Sequence, residues 1–236
     1  MRGAAMTSPL DDGVPSARVT GLGWIAGGRF AAERLGLTGS FDDLSELRDE
    51  LVERGILPAP IRRFAKLDDA CRMASLVAGL ALHDAGVACG GDVARDVAVL
   101  GTSERGCLET NRAFFADYLR HERRSGRGSL FVYTLPSIPA SEVSMQFKLV
   151  GPTAWLGSAD ARGRLLLDRA EAMLRRGDSA AVLCFDVSES GGVGLLLDRA
   201  PDGPGPVADL AKVRRLAPSL ATLEPIVDVV RRAFRA

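Results

Sequence analysis

The sequence predicts an α/β fold built on a mixed, mostly parallel sheet. Three observations carry this. Val97 to Gly101 and Ala180 to Val187 are continuous apolar runs, as expected of strands covered on both faces. Segments of helical period, Asp68 to Ala85 and Asp160 to Gly177, alternate with such runs. A Ser-Glu-Ser-Gly-Gly turn joins Ala180–Val187 to Val193–Leu197 so tightly that these two must be antiparallel neighbours.

In chain order, residues 1–16 mix Gly, Ser, Pro and Asp without period and read as a flexible arm. Arg18 to Ala26 is a first strand running into a turn at Gly27 and Gly28. Ser40-Phe41-Asp42-Asp43 reads as a capping box opening a helix through Arg54, with Leu44, Leu47 and Leu51 at helical spacing. Asp68 to Ala85 is a stronger helix, ended by Gly86. Leu108 to Arg124 is helical, with Phe114, Phe115, Tyr118 and Leu119 as its apolar side. Phe131 to Tyr133 reads as extended. Pro139 opens a short helix through Phe147, a position proline tolerates. Residues 17–203 make one domain. Asp202 to Pro206 is a linker, and residues 204–236 are a helical extension with Leu223, Ile226, Val227, Val230 and Phe234 on its apolar side.

Composition narrows the function. Lys plus Arg is 30 and Asp plus Glu is 30, a neutral balance that argues against nucleic acid or an anionic membrane as main partner. Four scattered cysteines (Cys71, Cys89, Cys107, Cys184) form no CxxC, and each reads as a thiol in a reducing cytoplasm. With two histidines, His83 and His121, no metal site and no cofactor are expected. No run is long and apolar enough for a membrane span.

Gly151 to Asp178 organises the rest. Thr153 to Leu156 is a short strand, Gly157-Ser158-Ala159 a small-residue elbow, and a helix starts near Asp160 and stops at Gly177. An elbow of this kind exposes one residue at a helix N-terminus, where an anion is favoured. At about 100° per residue, Leu166, Leu167, Ala170, Met173 and Leu174 share one stripe. Asp160, Arg162, Arg164, Asp168, Arg169, Glu171, Arg175 and Arg176 cover the opposite, wet side.

Four stretches, in this order, resemble the N-terminal half of a β-ketoacyl synthase of the thiolase-like fold: VTGLGWIAGG, RRFAKLDDACRMASLVAGLALHDAGV, GTSERGCLETN and LPSIPASEVSMQFKLVGPTAW. The resemblance implies a thiolase-like half with a five-stranded sheet flanked by helices. It also implies that the residue reached by counting from Gly151-Pro152 is the acyl-accepting cysteine; here it is Asp160. The family's catalytic histidines and its long insertion before Val193 have no counterpart in this sequence. In the family, the strand holding Trp155 pairs with its twin across a two-fold axis, which places Trp155 at a dimer interface.

A carboxylate is a poor acyl acceptor, and thioester formation needs a thiolate. No catalytic residue for condensation is therefore assigned. Asp160 reads as an N-cap or, functionally, as a general base or polar contact in a residual pocket. Ser158 is a turn-former or a binding group, and Phe131 is core or acyl-pocket lining. His83 reads as a cation at a helix C-terminus, His121 as part of a solvated face, and the basic run Arg120 to Arg127 as a solvated helix end or a carrier-protein contact. The expected function is a stand-alone, catalytically silent ketosynthase-like protein. It would be a non-condensing partner of chain-length-factor type, or one that binds an acyl carrier protein or an intact ketosynthase, in fatty-acid-like or polyketide-like biosynthesis. It would form a homodimer or heterodimer. The alternatives are an enzyme acting on an acyl thioester with Asp160 as base, and a pure interaction module.

Overall fold

The computed structural model describes residues 17–59, 64–88, 93–124, 126–157, 160–199, 208–211, 213 and 222–234. The expected N-terminal arm, Cys89, Ser158 and the 202–206 linker lie outside them. Among the described residues, one sheet of eight strands organises the chain. Its strands are β1 (Arg18–Ala26), β2 (Arg29–Ala32), β3 (Leu37–Ser40), β4 (Val97–Ser103), β5 (Thr153–Trp155), β6 (Ala181–Ser188), β7 (Gly191–Asp198) and β8 (Ala208–Asp209). The order is β3-β2-β1-β7-β6-β4-β5, with β8 paired to the start of β1.

β1, β7, β6, β4 and β5 are the five strands expected, and β2, β3 and β8 enlarge the sheet beyond them. β4 pairs parallel with β5 and β6, while β7 is antiparallel to β6 and to β1. Four of the five therefore run one way and β7 alone is reversed, as the tight turn after β6 predicts. The meander of β2 and β3 extends the sheet beyond β1. It starts at Gly27 and Gly28, whose φ values of 56° and 69° suit a residue without Cβ.

Two cores follow from the alternation of side chains along the apolar runs. Val97, Val99, Leu183 and Phe185 face one way, into a cluster with Leu47 and Leu51 of α1 (Leu44–Glu53), Leu76, Val77 and Leu80 of α2 (Asp69–Asp84), and Val143 and Phe147 of α5 (Ile138–Phe147). Ala98, Leu100, Val182 and Cys184 face the other way. They meet Leu166, Leu167 and Leu174 of α6 (Arg162–Arg176) and Ile226 and Val230 of the C-terminal helix α7 (Glu224–Phe234). α2 lies directly on β1, because a Cβ at Gly21 or Gly23 would collide with the α2 backbone at Ala81 or Leu80.

Several local readings are corrected. The cap of α1 is Asp43, three residues after Ser40: Asp43 Oδ1 accepts from Ser45 N and Glu46 N at 2.7 and 3.0 Å, and Glu46 reaches back to Asp42 N at 2.7 Å. α3 (Leu108–Arg120) ends early, since Glu122 and Arg123 turn into left-handed backbone at φ 53° and 63°. Its apolar side is not its buried side: Phe115 and Leu119 are exposed, and the one buried residue of α3 is Asp117. Asp117 accepts from the backbone N and Nε of Arg127 at 2.9 and 3.1 Å, and those bonds hold its carboxyl below the usual range. Phe131 to Tyr133 is not extended: Gly128–Phe131 form the short helix α4 and Val132–Thr134 a 3-10 turn. The C-terminal segment is not all helical, for Ala208 and Asp209 form β8.

Candidate functional site

The strand-to-helix corner is present. β5 lies at the sheet edge in register with β4, Val99 opposite Thr153 and Gly101 opposite Trp155. Leu156 N donates to Gly101 O at 2.9 Å, and Thr102 Oγ1 donates to Leu156 O at 2.6 Å, which carries the register one residue past the strand. Gly157, at the end of this edge segment, is exposed, and α6 begins at Arg162. Gly177, at φ 75°, ends the helix as expected.

Asp160 stands at this corner, exposed, and is not the helix cap. That position falls on Ala161, which offers no side-chain cap. Among the described residues the Asp160 carboxylate takes no hydrogen bond or ion pair. The helix begins two residues later than its polarity suggests, at Arg162, and that residue is tied down. Arg162 Nε donates to Asp186 Oδ1 at 2.9 Å, and the two side chains are only 12% and 6% exposed. Arg162 thus leaves the wet side, whereas Arg164, Asp168, Arg169, Arg175 and Arg176 are exposed there.

Asp186 is the group that pattern reading missed. It sits near the carboxyl end of β6, inside an otherwise apolar run. Its second oxygen accepts from Leu223 N, just ahead of α7, at 3.1 Å. Burial pushes its carboxyl up, and the Arg162 guanidinium and the Leu223 N–H bond oppose that. The available signal was the single acid in AVLCFDV: a charge in a two-faced buried strand requires a partner.

Two cavities flank the β6–β7 turn. One, of about 270 Å³, lies between that turn, Trp24 and α7, and is lined by Arg162, Asp186, Ser188, Ser190, Glu224 and Arg231 among others. The other, of about 760 Å³, opens at the carboxyl end of β4 between the start of α2 and α3. Leu67, Ala70, Ala113, Leu130 and Tyr133 wall it, and Lys66, Arg105, Glu109 and Glu189 add charge. Arg105 Nη1 meets Glu189 Oε1 at 3.3 Å and Glu109 Oε1 at 3.7 Å.

The remaining candidates are dispersed. Phe131 is 56% exposed on α4, its ring 5.6 Å from that of Phe114, and it lines neither of these two cavities. Trp155 is half-buried on the edge strand β5, edge-on to Phe185 at 6.2 Å. His83 lies at the far end of the sheet. α2 runs against β1, so the close of α2 sits over Gly21, while the elbow end is that of Ile25 and Ala26. Burial lowers the His83 pKa, which opposes the reading as a helix-terminal cation. His121 is exposed after α3, its Nδ1 2.8 Å from Asp117 O. Cys107 is half-buried, with Sγ donating to Thr134 O at 2.9 Å. Among the described residues no group of three His, Cys, Asp or Glu is arranged to hold a metal, and no helix is long and apolar enough to cross a membrane.

The family model for the beta-ketoacyl synthase N-terminal domain matches residues 47–199, which contain β4 to β7, the elbow and α6. The chain belongs to that family. A comparison with curated proteins finds no match. Among solved structures, a beta-ketoacyl synthase from Burkholderia phymatum STM815 is 17% identical, with a TM-score of 0.52, covering 78% of this chain and 59% of that one. The ishigamide ketosynthase/chain length factor is 17% identical, with a TM-score of 0.53, covering 90% and 74%. A type II polyketide-synthase acyl-carrier protein in complex with its ketosynthase, AntDE:AntF, is 11% identical, with a TM-score of 0.55, covering 78% and 62%. The ketosynthase-like, thiolase-type fold is thereby shown, with Asp160 at its strand-to-helix corner; the chain spans 59% of the length of the Burkholderia synthase.

Proposed function

We propose that this ketosynthase-family chain does not condense acyl groups itself. It serves as a partner in fatty-acid-like or polyketide-like biosynthesis, in the manner of a chain-length factor or as a platform for a carrier protein or an intact ketosynthase, in a reducing cytoplasm. The observation that carries this reading is the elbow. Asp160 is exposed there with no described partner, and neither histidine lies beside it: His83 is in the last turn of α2, whose Ala81 and Ala85 sit over Gly21 at the other end of the sheet, and His121 is exposed beyond α3. A carboxylate neither forms the thioester nor tolerates the approach of a malonyl-type anion.

The surface supports the partner role. Leu108, Phe115 and Leu119 on α3, and Phe131, Val132 and Leu135 after it, are all more than 40% exposed. The Phe114–Phe131 contact joins the two groups. Soluble chains seldom leave that much large apolar side chain uncovered unless another protein covers it. Exposed Arg120, Arg123, Arg124 and Arg127 stand beside it, the complement of an acidic surface such as a carrier protein presents. At the sheet edge, exposed Met145 and Val150 flank β5 and Trp155, which supports pairing with a second ketosynthase-like chain through that edge. Neighbours of the same fold are themselves complexes, a ketosynthase with its chain length factor and a ketosynthase with its acyl-carrier protein.

The test combines co-purification with a candidate ketosynthase and acyl carrier protein and incubation of the chain alone with a radiolabelled acyl thioester. A stable complex, and no label or condensation product with the chain alone, is the expected result. Carbon–carbon bond formation by the isolated chain would overturn the reading. Turnover of the thioester that stops in Asp160→Asn would instead make this carboxylate a general base.

A further inference from the structure

α7 reaches the body of the protein through side chains and one backbone N–H. Ile226, Val227 and Val230 seat on the face of β1 and β7 that carries Leu22, Leu195 and Leu197. Leu223 and Val229 are buried in the same cluster, and two polar ties sit apart. At the start, Leu223 N donates to Asp186 Oδ2 at 3.1 Å, and Arg162 Nε holds Oδ1 at 2.9 Å. About two turns on, Arg231 places Nε and Nη2 on Glu33 Oε1 at 2.9 and 2.7 Å. Trp24 Nε1 donates to the same oxygen at 2.6 Å, and the Arg231 guanidinium lies 5.6 Å from the Trp24 ring centre. Between these two latches is the cavity of about 270 Å³.

This seat differs from that of the other long helices. α2 is pressed onto glycine positions of β1 and β7, and α6 lies over β4 and β6 through Leu166, Leu167 and Leu174. The seat under α7 holds one row of apolar side chains, with a single backbone hydrogen bond to the buried Asp186–Arg162 pair at its start, the Arg231–Glu33 ion pair near its end and a hollow beside the row. Ion pairs withdrawn from water return little net stability, and a hollow forfeits dispersion contacts. Elements attached in this way open at lower free energy than the sheet they cover.

We propose that α7 is a strap that disengages while the sheet stays folded. Its release opens the Arg162–Asp186 end of α6, next to the elbow, together with the apolar face of β1 and β7. Access to that side of the corner is then set by the two latches, whatever partner the protein serves.

Native-state hydrogen exchange on the full chain tests this. Amides of residues 226–234 are expected to exchange at least about 100-fold faster than those of β6 and β7, through an opening with a weaker denaturant dependence. Pairing Glu33→Gln with Arg231→Gln is expected to speed α7 exchange at least about tenfold further and to leave β6 and β7 unchanged. Exchange of α7 only together with the sheet, at the same rate and denaturant dependence in the wild-type chain, would overturn the proposal. So would a latch variant that accelerated α7 and β6 equally.

Discussion

The carboxylate of Asp84, the last residue of α2, accepts the backbone N–H of Leu22 in the middle of β1 at 2.8 Å, across 62 residues of chain. Its other oxygen accepts from Leu35 N at 2.9 Å, and its own carbonyl accepts from Arg34 Nε at 2.6 Å. One acid thereby ties α2, β1 and the β2–β3 turn together. Burial raises its pKa, and the N–H bonds from Leu22 and Leu35 work against that. Asp84→Ala strands two backbone donors and is expected to cost about 2–4 kcal/mol, read by urea denaturation. Asp84→Asn, which keeps one acceptor, costs less.

Asp160→Ala is expected to change stability by less than about 0.5 kcal/mol, because the residue is exposed and is not the cap of α6. A loss near 1 kcal/mol in a thermal or urea titration would restore the capping role. Asp160→Cys is expected to take up label from an acyl thioester at that cysteine and still form no condensation product.

His83 gives a pH signature. Its folded pKa lies below the ordinary histidine value because burial disfavours the imidazolium. The unfolded chain then binds more protons between the two values, so stability falls as pH drops from neutrality through the ordinary histidine range. His83→Gln is expected to flatten the slope of melting temperature against pH between roughly pH 7 and 5. A slope identical to that of the wild type would reject the assignment.

Replacing Phe115 and Leu119 by Ser leaves the buried cores untouched, since both side chains are exposed. The expected result is a folded chain with a melting temperature near that of the wild type and at least about tenfold weaker capture of the candidate ketosynthase or acyl carrier protein. Unchanged capture would remove this surface from the interface.

Gly23→Ala drives a methyl into the α2 backbone at Leu80 and Ala81. A cost of about 1–3 kcal/mol is expected, visible as a lower urea midpoint.

How much of this was legible follows from what each signal depends on. β4, β6 and β7 were readable because strands buried on both faces must be apolar throughout, α6 because one stripe of it is buried, and α2 because it is apolar and buried nearly all round. α3 misled for the same reason turned round. Its apolar period is real, yet Phe115 and Leu119 stay in water, so the period marked an exposed apolar face and not a core stripe. The elbow was visible from Gly157 and Gly177, but the start of α6 was not. Its first residue, Arg162, meets Asp186, and Leu223 completes that arrangement from 37 residues further along. Asp84 and Glu33 were hidden likewise, because a charge whose partners are distant in the chain resembles any other surface acid.

The two-residue turn between β6 and β7, Glu189 and Ser190, is a partition: Val187, Ser188 and Ser190 line both chambers. Residues grafted there would grow into the two spaces at once without disturbing the ladder beneath. The volume and polarity of both chambers can therefore be re-specified from a single point on the chain.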